Sequence, residues 1–409
     1  MRAYFKLAWR NLWRNRRRTL ITISSICFAM FFGLMMKSMI TGTYANLDNA
    51  MIKSSTGYLQ IQNPKYWDDK NIDNSLDLNG SDIMEVVNST PGIGTKVPKL
   101  DYFALASTGN ITKGVAIIGT DASVEKEMSN MDTKVLQGQY FSGKAGAAMV
   151  PKNLAEYLEL EVGDTFVLFG QGYHGVTAAG KFWAEGIIDL RIPMMNNTLI
   201  YIQLEDAQFL FGAEGRLTHL SIMIDDPNEL YAIQEELTSK IDASNYRVMN
   251  WKEMNADYVQ MASSKDVSSG IMIGILYLIV GFGIFGTLFM MTLERRREFS
   301  VMISIGMKRF KLSIVVFIES LLLGMVGGLA GIGLSLPLLA YLHKHPIPLS
   351  GDIATMYEAY GVEPEYHFAF AADFIINQFL VIFILCVVLS IVPIISVNRL
   401  NFVNALRGR

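Results

Sequence analysis

The sequence predicts a membrane protein of four transmembrane α-helices, with a large mixed α/β extracytoplasmic domain inserted between the first helix and the second. Three observations carry that fold class. Apolar runs near 19–41, 267–293, 312–342 and 374–397 are each long enough to cross a ~30 Å hydrocarbon core as a helix. Lys and Arg crowd the short flanks that would share one side of that core. The stretch 42–266 carries 30 Asp or Glu against 17 Lys or Arg in a chain of formal net charge −3, so everything outside it is net positive.

Residues 1–18 hold Arg2, Lys6, Arg10, Arg14, Arg16, Arg17 and Arg18 and no acid. Bases next to a span mark the cytoplasmic side. Phe5, Ala8, Trp9 and Leu12 share one helical face and Lys6, Arg10, Arg14 and Arg17 another, which fits an in-plane interfacial helix and plain topogenic charge equally. The apolar run that follows exceeds the ~7–15 residues of a signal-peptide core and reads as an uncleaved anchor. Arg295, Arg296, Arg297, Lys308, Arg309 and Lys311 lie between the second and third runs, and Arg399, Arg407 and Arg409 follow the fourth. The loop 343–373 has Lys344 alone against Asp352, Glu358, Glu363, Glu365 and Asp373. Both termini are therefore expected in the cytoplasm. The chain divides into 1–41, an interfacial helix and first span; 42–266, the external domain with stalk ends; and 267–409, three spans with a cytoplasmic helix near 294–311.

Within the external domain, Gly57–Gln62, Gly114–Ile118, Thr165–Phe169, Phe182–Ile188, Thr198–Ile202 and Leu217–Ile224 read as strands, and Asn153–Leu160, Glu205–Phe211 and Asn228–Ile241 as helices. Asp226-Pro227-Asn228 is a helix start signal. The Asn- and Asp-rich stretch 63–82 reads as loop. Thr41–Ser54 and Trp251–Asp266 are helix-compatible and would extend the first two spans outward. Both cysteines, Cys27 and Cys386, fall inside predicted spans, so the domain folds on its core rather than on disulfides. Its acidic balance argues against nucleic acid as a ligand. His174, His219, His343, His345 and His367 are scattered, and no metal site is expected.

Gly138-Gln-Tyr-Phe-Ser-Gly143-Lys144 has the spacing of a phosphate-binding loop, but Ala145 offers no hydroxyl to Mg²⁺ and no clean strand is read before it; a turn is the expectation. The neighbouring carboxylates Asp68-Asp69 and Glu205-Asp206 diverge on either a strand or a helix and make no catalytic dyad. No catalytic residue is assigned, and the chain is not expected to be an enzyme by itself.

The third span contains two overlapping small-residue pairs, Gly324/Gly328 and Gly327/Gly331, the pattern that lets helix backbones approach closely in lipid. Glu319 lies about two turns into that span and needs a partner there, either a base of the inner face or its own proton. Before it, Phe299, Met302, Ile303 and Gly306 recur at helical spacing beside charged residues, predicting a short amphipathic helix ended by Gly306.

These segments resemble the ABC-transporter permeases of the FtsX, MacB and lipoprotein-releasing (LolC/LolE-like) type. The resemblance rests on Leu7-Ala-Trp-Arg-Asn-Leu-Trp-Arg-Asn-Arg-Arg-Arg-Thr19, on Glu294–Leu312, on Glu319 with the glycine-rich span, on Met149–Asp164 with Leu204–Leu210, and on the closing Asn404-Ala-Leu-Arg407. Phe402 departs from it, standing where the family commonly has Pro. The resemblance implies a bacterial inner-membrane permease whose cytoplasmic helix docks on a separate ABC ATPase dimer, with Glu294, Arg297, Glu298, Phe299, Met302, Ile305 and Gly306 at that contact. It implies a second permease copy, identical or related, and no cofactor on this chain, ATP and Mg being held by the partner. For lipoprotein-releasing members it implies a lipidated protein as substrate and a periplasmic chaperone as acceptor. Phe28, Phe32, Met35, Met36, Ile273 and Tyr277 on the first two spans are candidates for an adaptable apolar path to such cargo. Gly170–Gly180 reads first as a long hairpin loop, in the module where those members can carry a chaperone-binding hook. MacB-like export of small molecules or peptides and FtsX-like control of cell-wall hydrolases remain as alternatives.

Overall fold

The structure is a computed structural model of the chain and describes residues 2–14, 16–78, 82–190, 193–352, 354 and 364–398. It divides into two compact units, one of Met1–Ala45, Met261–Pro348 and Glu365–Arg409, the other of Asn46–Gln260 and Leu349–Pro364. The closing motif with Phe402, and Arg399, Arg407 and Arg409, lie outside the described residues.

The chain opens with helices α1 (Arg2–Arg14) and α2 (Arg16–Met51). The α/β unit follows, with β1 (Leu59–Gln62), α3 (Pro64–Asp68), β2 (Leu76–Asp77), α4 (Ile83–Ser89), β3 (Ile93–Ser107), β4 (Thr112–Thr120), α5 (Ala122–Ser129), β5 (Val135–Gly138), β6 (Ala147–Pro151) and α6 (Lys152–Leu158). It continues through β7 (Thr165–Gln171), β8 (Thr177–Ile188), α7 (Pro193–Thr198), β9 (Leu199–Gln203), α8 (Leu204–Phe211), β10 (Arg216–Leu217), β11 (His219–Ile224), α9 (Leu230–Lys240), β12 (Arg247–Asn250) and α10 (Trp251–Met254). The remainder is α11 (Ala256–Glu294), α12 (Arg296–Ser304), α13 (Arg309–Lys344), β13 (Ile347–Pro348), β14 (Glu365–Tyr366) and α14 (Ala372–Asn398).

Six strands of the α/β unit close on themselves: β3 pairs β4, β4 pairs β9, β9 pairs β6, β6 pairs β8, β8 pairs β7, and β7 returns to β3. Alternation fills the ring, because every second residue of a strand points the same way. Ala104 and Ala106, Val115 and Ile117, Phe166 and Leu168, Ala178 and Phe182, and Ile200 and Ile202 form one buried core with Leu154 and Leu158 of α6 and Leu210 and Phe211 of α8. Beyond β3 the sheet continues through β11, β1 and β12. That wing buries Leu59, Ile61, Leu220 and Ile222 against Val87 of α4 and Ile233 and Leu237 of α9.

Local signals explain the boundaries. Asp121 caps α5 by accepting from Ser123 N, and Asn250 and Glu253 complete a capping box on α10. Asp226 accepts from Asn228 N, and Pro227 opens the turn that leads into α9.

Three readings need correction. The stretch 63–82 is not simply loop: it holds α3, a 3₁₀ turn at Ile72–Asn74 and β2, because Tyr66 and Ile72 are buried anchors among its polar residues. A strand does precede the Gly138–Lys144 motif, namely β5, an edge strand of the sheet. No helix begins at Lys144, however, and the chain turns into β6 instead. Gly138 itself is required by packing, since a Cβ there would lie 2.2 Å from the Glu185 carbonyl oxygen at φ +79°. The run Leu217–Ile224 is broken at Thr218, whose N and Oγ1 both donate to the Lys99 carbonyl.

Candidate functional site

Among the described residues the helical unit contains four helices long and apolar enough to cross a membrane: α2, α11, α13 and α14. α12 sits between α11 and α13 in the chain, set off from α11 by a non-helical Arg295 and closed by Gly306 at φ +102°. Its amphipathic pattern has a definite inner partner. Phe299 is 1% exposed and packs with Leu312, Val316 and Val397, with Met302 and Ile303 beside it. Phe299, expected at a docking contact, has its ring already occupied in holding α12 to α13 and α14. Ile305 is the opposite case, 82% exposed, with Phe310 and Val301 also outward. Arg297 and Gly306 are exposed as well.

The acids of this region are all engaged. Glu294 pairs with Arg18, and Glu298 pairs with Arg14 and, at 3.5 Å, with Arg295 Nε. Glu319, nearly buried in α13, accepts from Asn11 Nδ2 at 2.8 Å on one oxygen and from Arg295 Nη1 at 2.7 Å on the other. The partner is thus an inner-face base aided by a side-chain amide. The Arg295 guanidinium also lies over the Phe299 ring, 5.0 Å from its centroid. A cavity of about 20 Å³, room for roughly one water, is lined by Leu12, Thr292, Arg295, Phe299, Glu319 and Ser320, among others. α1 reaches this cluster because Ala8 and Leu12 are buried against the helical core, while Phe5, Trp9 and Trp13 stay exposed. The apolar face read from the sequence is therefore split between protein and surroundings.

The two glycine pairs of α13 serve different neighbours. A Cβ at Gly324 would lie 3.1 Å from Cys386, and one at Gly328 would lie 2.8 Å from the Phe379 ring, both on α14. At Gly327 it would meet Ile26 at 2.7 Å, and at Gly331 Met30 at 2.5 Å and the Cys27 carbonyl at 2.7 Å, both on α2. Near the other end of α2, Ala369 N donates to the Ser38 carbonyl at 3.0 Å and Ser38 Oγ donates back to the Ala369 carbonyl at 2.6 Å.

Of the candidate path residues, Phe28 and Phe32 are more than half exposed, and their rings stack at 6.3 Å. Met35, Met36, Ile273 and Tyr277 are half-buried, with the Tyr277 hydroxyl donating to Gln378 Oε1 at 2.5 Å. None of these six lines the cavity beside Glu319.

Two family descriptions match this chain: FtsX-like permease C-terminal over residues 270–402 and MacB-like periplasmic core domain over residues 19–240. The chain belongs to the FtsX/MacB-like permease family. It is 21% identical over 270 residues to the lipoprotein-releasing system transmembrane protein LolC of Neisseria meningitidis serogroup B, a match covering 64% of each chain. It is 22% identical over 353 residues to a probable export ATP-binding/permease protein MacB of Pseudomonas entomophila, covering 82% of this chain and 50% of that one. The periplasmic region of MacB from Actinobacillus actinomycetemcomitans aligns in structure at 13% identity with a TM-score of 0.36, covering 51% of this chain and 94% of that one. The matches span about three fifths of the length of the first curated relatives.

In this permease the periplasmic core domain holds a feature that the sequence reading missed. Pairing across β11, β3, β4 and β9 sets His219, Lys99 and Thr120 in one row and Asp101, Ile118 and Tyr201 in the next, on the outside of the ring. α5 packs against β3 here, and its Glu125 meets Lys99 Nζ at 3.0 Å with both side chains 1% exposed. Thr120 Oγ1 donates to the same carboxylate at 3.2 Å. The legible signal was Lys99 and Asp101 two apart in a strand, which puts both on one face. Burial and the Lys99 ammonium hold the His219 imidazole down to about 3, and burial pushes the Asp101 carboxyl up to about 6. A histidine kept neutral in the fold stabilises it above its ordinary pKa of 6.5, and that contribution is lost as pH falls from there toward about 3. We expect the His219 ring signals in ¹⁵N spectra of the histidine-labelled permease to stay those of neutral imidazole between pH 8 and roughly 4; titration near 6.5 would show that the ring is solvated.

Proposed function

We propose that this permease works as the membrane half of a lipoprotein-releasing ABC system, with α12 docking on a separate cytoplasmic ATPase dimer that holds ATP and Mg. On this reading α2, α11, α13 and α14 cross a bacterial inner membrane, both termini are cytoplasmic, and the periplasmic core domain is inserted between the first two spans. The observation that carries it is the division of labour on α12: Phe299 anchors the helix from inside, leaving Ile305, the most exposed large apolar residue among the described residues, outward, with exposed bases at Arg297 earlier in the helix and at Lys308 and Arg309 three and four residues on. An apolar knob amid bases suits a groove on an acidic partner. Two permease copies, identical or related, complete the assembly. The aromatic rings of Phe28 and Phe32, outward on α2, suit contact with acyl chains of a lipidated cargo on its way to a periplasmic chaperone.

Affinity capture of the tagged permease from native membranes in mild detergent, with mass spectrometry of proteins and lipidated peptides, tests the reading. An ATPase together with lipoproteins is the expected result; an ATPase with a wall hydrolase would replace it by the FtsX-like role, and absence of an ATPase would end it. Ile305→Asp should lower ATPase recovery at least tenfold, since a charge at the centre of an apolar contact commonly removes about 2 kcal/mol or more of binding. Export of small molecules or peptides is the second reading, favoured by the 353-residue match to MacB.

A further inference from the structure

We propose that Glu319 is a positioning residue that fastens α1 and the α11–α12 junction to α13, so that a displacement of α12 is delivered to α1 and α13 together. The inference rests on α12 being the helix through which force enters. Each oxygen of the carboxylate serves a different element: Oε1 takes Asn11 of α1 at 2.8 Å and Oε2 takes Arg295 at 2.7 Å. Arg295 is the non-helical residue separating α11 from α12, at φ −91° and ψ 2°, which makes it the hinge about which α12 would turn. Its guanidinium is held a second time over Phe299, the ring that packs α12 onto α13 and α14.

Two peripheral pairs lie nearby, Arg14 to Glu298 between α1 and α12 and Arg18 to Glu294 between α2 and α11, but neither reaches α13, and their side chains are between a third and more than half exposed, where ion pairs contribute little. The Arg295–Glu319 pair differs in being 13% and 12% exposed. Rotating α12 about Arg295 without moving α13 would leave a buried carboxylate without its charge partner, an expensive state in an apolar setting. Moving α13 without α1 would strip the carboxylate of Asn11. Concerted motion of the three elements avoids both.

The test uses the full-length permease in lipid nanodiscs, with Cys27→Ser and Cys386→Ser and spin labels at Arg10→Cys on α1 and Ser304→Cys on α12. Pulsed electron–electron resonance should give one narrow distance distribution with Glu319 present and a broad or two-component one with Glu319→Leu. Exchanging the pair, Arg295→Glu with Glu319→Arg, should restore the narrow distribution, which a purely volumetric role for Glu319 would not do. Asn11→Leu, a milder change that guards against misfolding of the Glu319→Leu protein, should broaden the same distance while leaving the α12–α13 distance, labelled at Ser304→Cys and Leu338→Cys, unchanged. In the complex with the captured ATPase, ATP turnover should fall about tenfold in the Glu319→Leu permease and recover in the exchanged pair. Coincident distributions for wild type and Glu319→Leu would overturn the proposal. Failure of any ATPase to associate with wild type would refute the docking reading instead, and the distances, measured on the permease alone, would still decide the fastening.

Discussion

Glu125→Ala should melt the periplasmic core domain at a markedly lower temperature than wild type. The Lys99 ammonium is 1% exposed, and the substitution removes the carboxylate that pairs with it at 3.0 Å. Removing one member of a buried ion pair costs about 3–5 kcal/mol, which for a unit of this size corresponds to a fall on the order of 10 °C in Tm. Lys99→Met with Glu125→Leu should recover most of that loss or exceed wild type, because two desolvated charges are replaced by apolar groups of similar length. Scanning fluorimetry of the full chain, read alongside protease cleavage within 46–260, separates melting of this unit from that of the helices. Equal Tm for Glu125→Ala and the double variant would mean that the pair is solvated and that α5 is held by Met128 and its neighbours alone.

That pair also marks where the sequence could be read and where it could not. Patterns that repeat along the chain were legible: the four apolar helices, the alternation in β4, β7 and β9, and the Asp226-Pro227 start all follow from short-range chemistry. β3 escaped, although it is the longest strand, because Pro98 and two lysines interrupt its apolar count while its neighbours on both sides supply the burial. Ring closure was equally hidden. It depends on β7 pairing with β3 across 60 residues, and no local signal encodes that partnership.

At the candidate coupling helix the sequence marked an amphipathic segment, and the structure shows which of its apolar residues are buried. Phe299, Met302 and Ile303 share the apolar face and pack inward, while Ile305 lies off that face, just beyond the nine-residue helix. The demand for a partner to Glu319 was sound physics, since a carboxylate in a span needs one. Naming Asn11 and Arg295 required the packing of α1 against α13, which only Ala8 and Leu12 foreshadow.

Gly331→Leu should prevent α2 and α13 from packing, and with Gly327→Leu it should abolish accumulation of folded permease. A Cβ at Gly331 would stand 2.5 Å from Met30 Cβ and 2.7 Å from the Cys27 carbonyl, and one at Gly327 2.7 Å from Ile26 Cβ and 3.1 Å from the Ile23 carbonyl. Backbone oxygens do not yield as side-chain ends do, so the helices must separate and forfeit contact along their whole length. Overpacking at one site costs about 1–3 kcal/mol. Two sites one helical turn apart on the same seam act on the same displacement and so couple rather than simply add. Gly333→Leu is the matched control, because nothing lies within 4 Å of its Cβ direction and the added side chain meets open space. Size-exclusion profiles of detergent-extracted protein report the result: a monodisperse peak for Gly333→Leu and wild type, aggregation or loss for the Gly327/Gly331 pair. A monodisperse double variant would mean that α2 and α13 are not in contact in the membrane. In that case the route from the fastening at Glu319 into α2 would have to run through Asn11 and α1 alone.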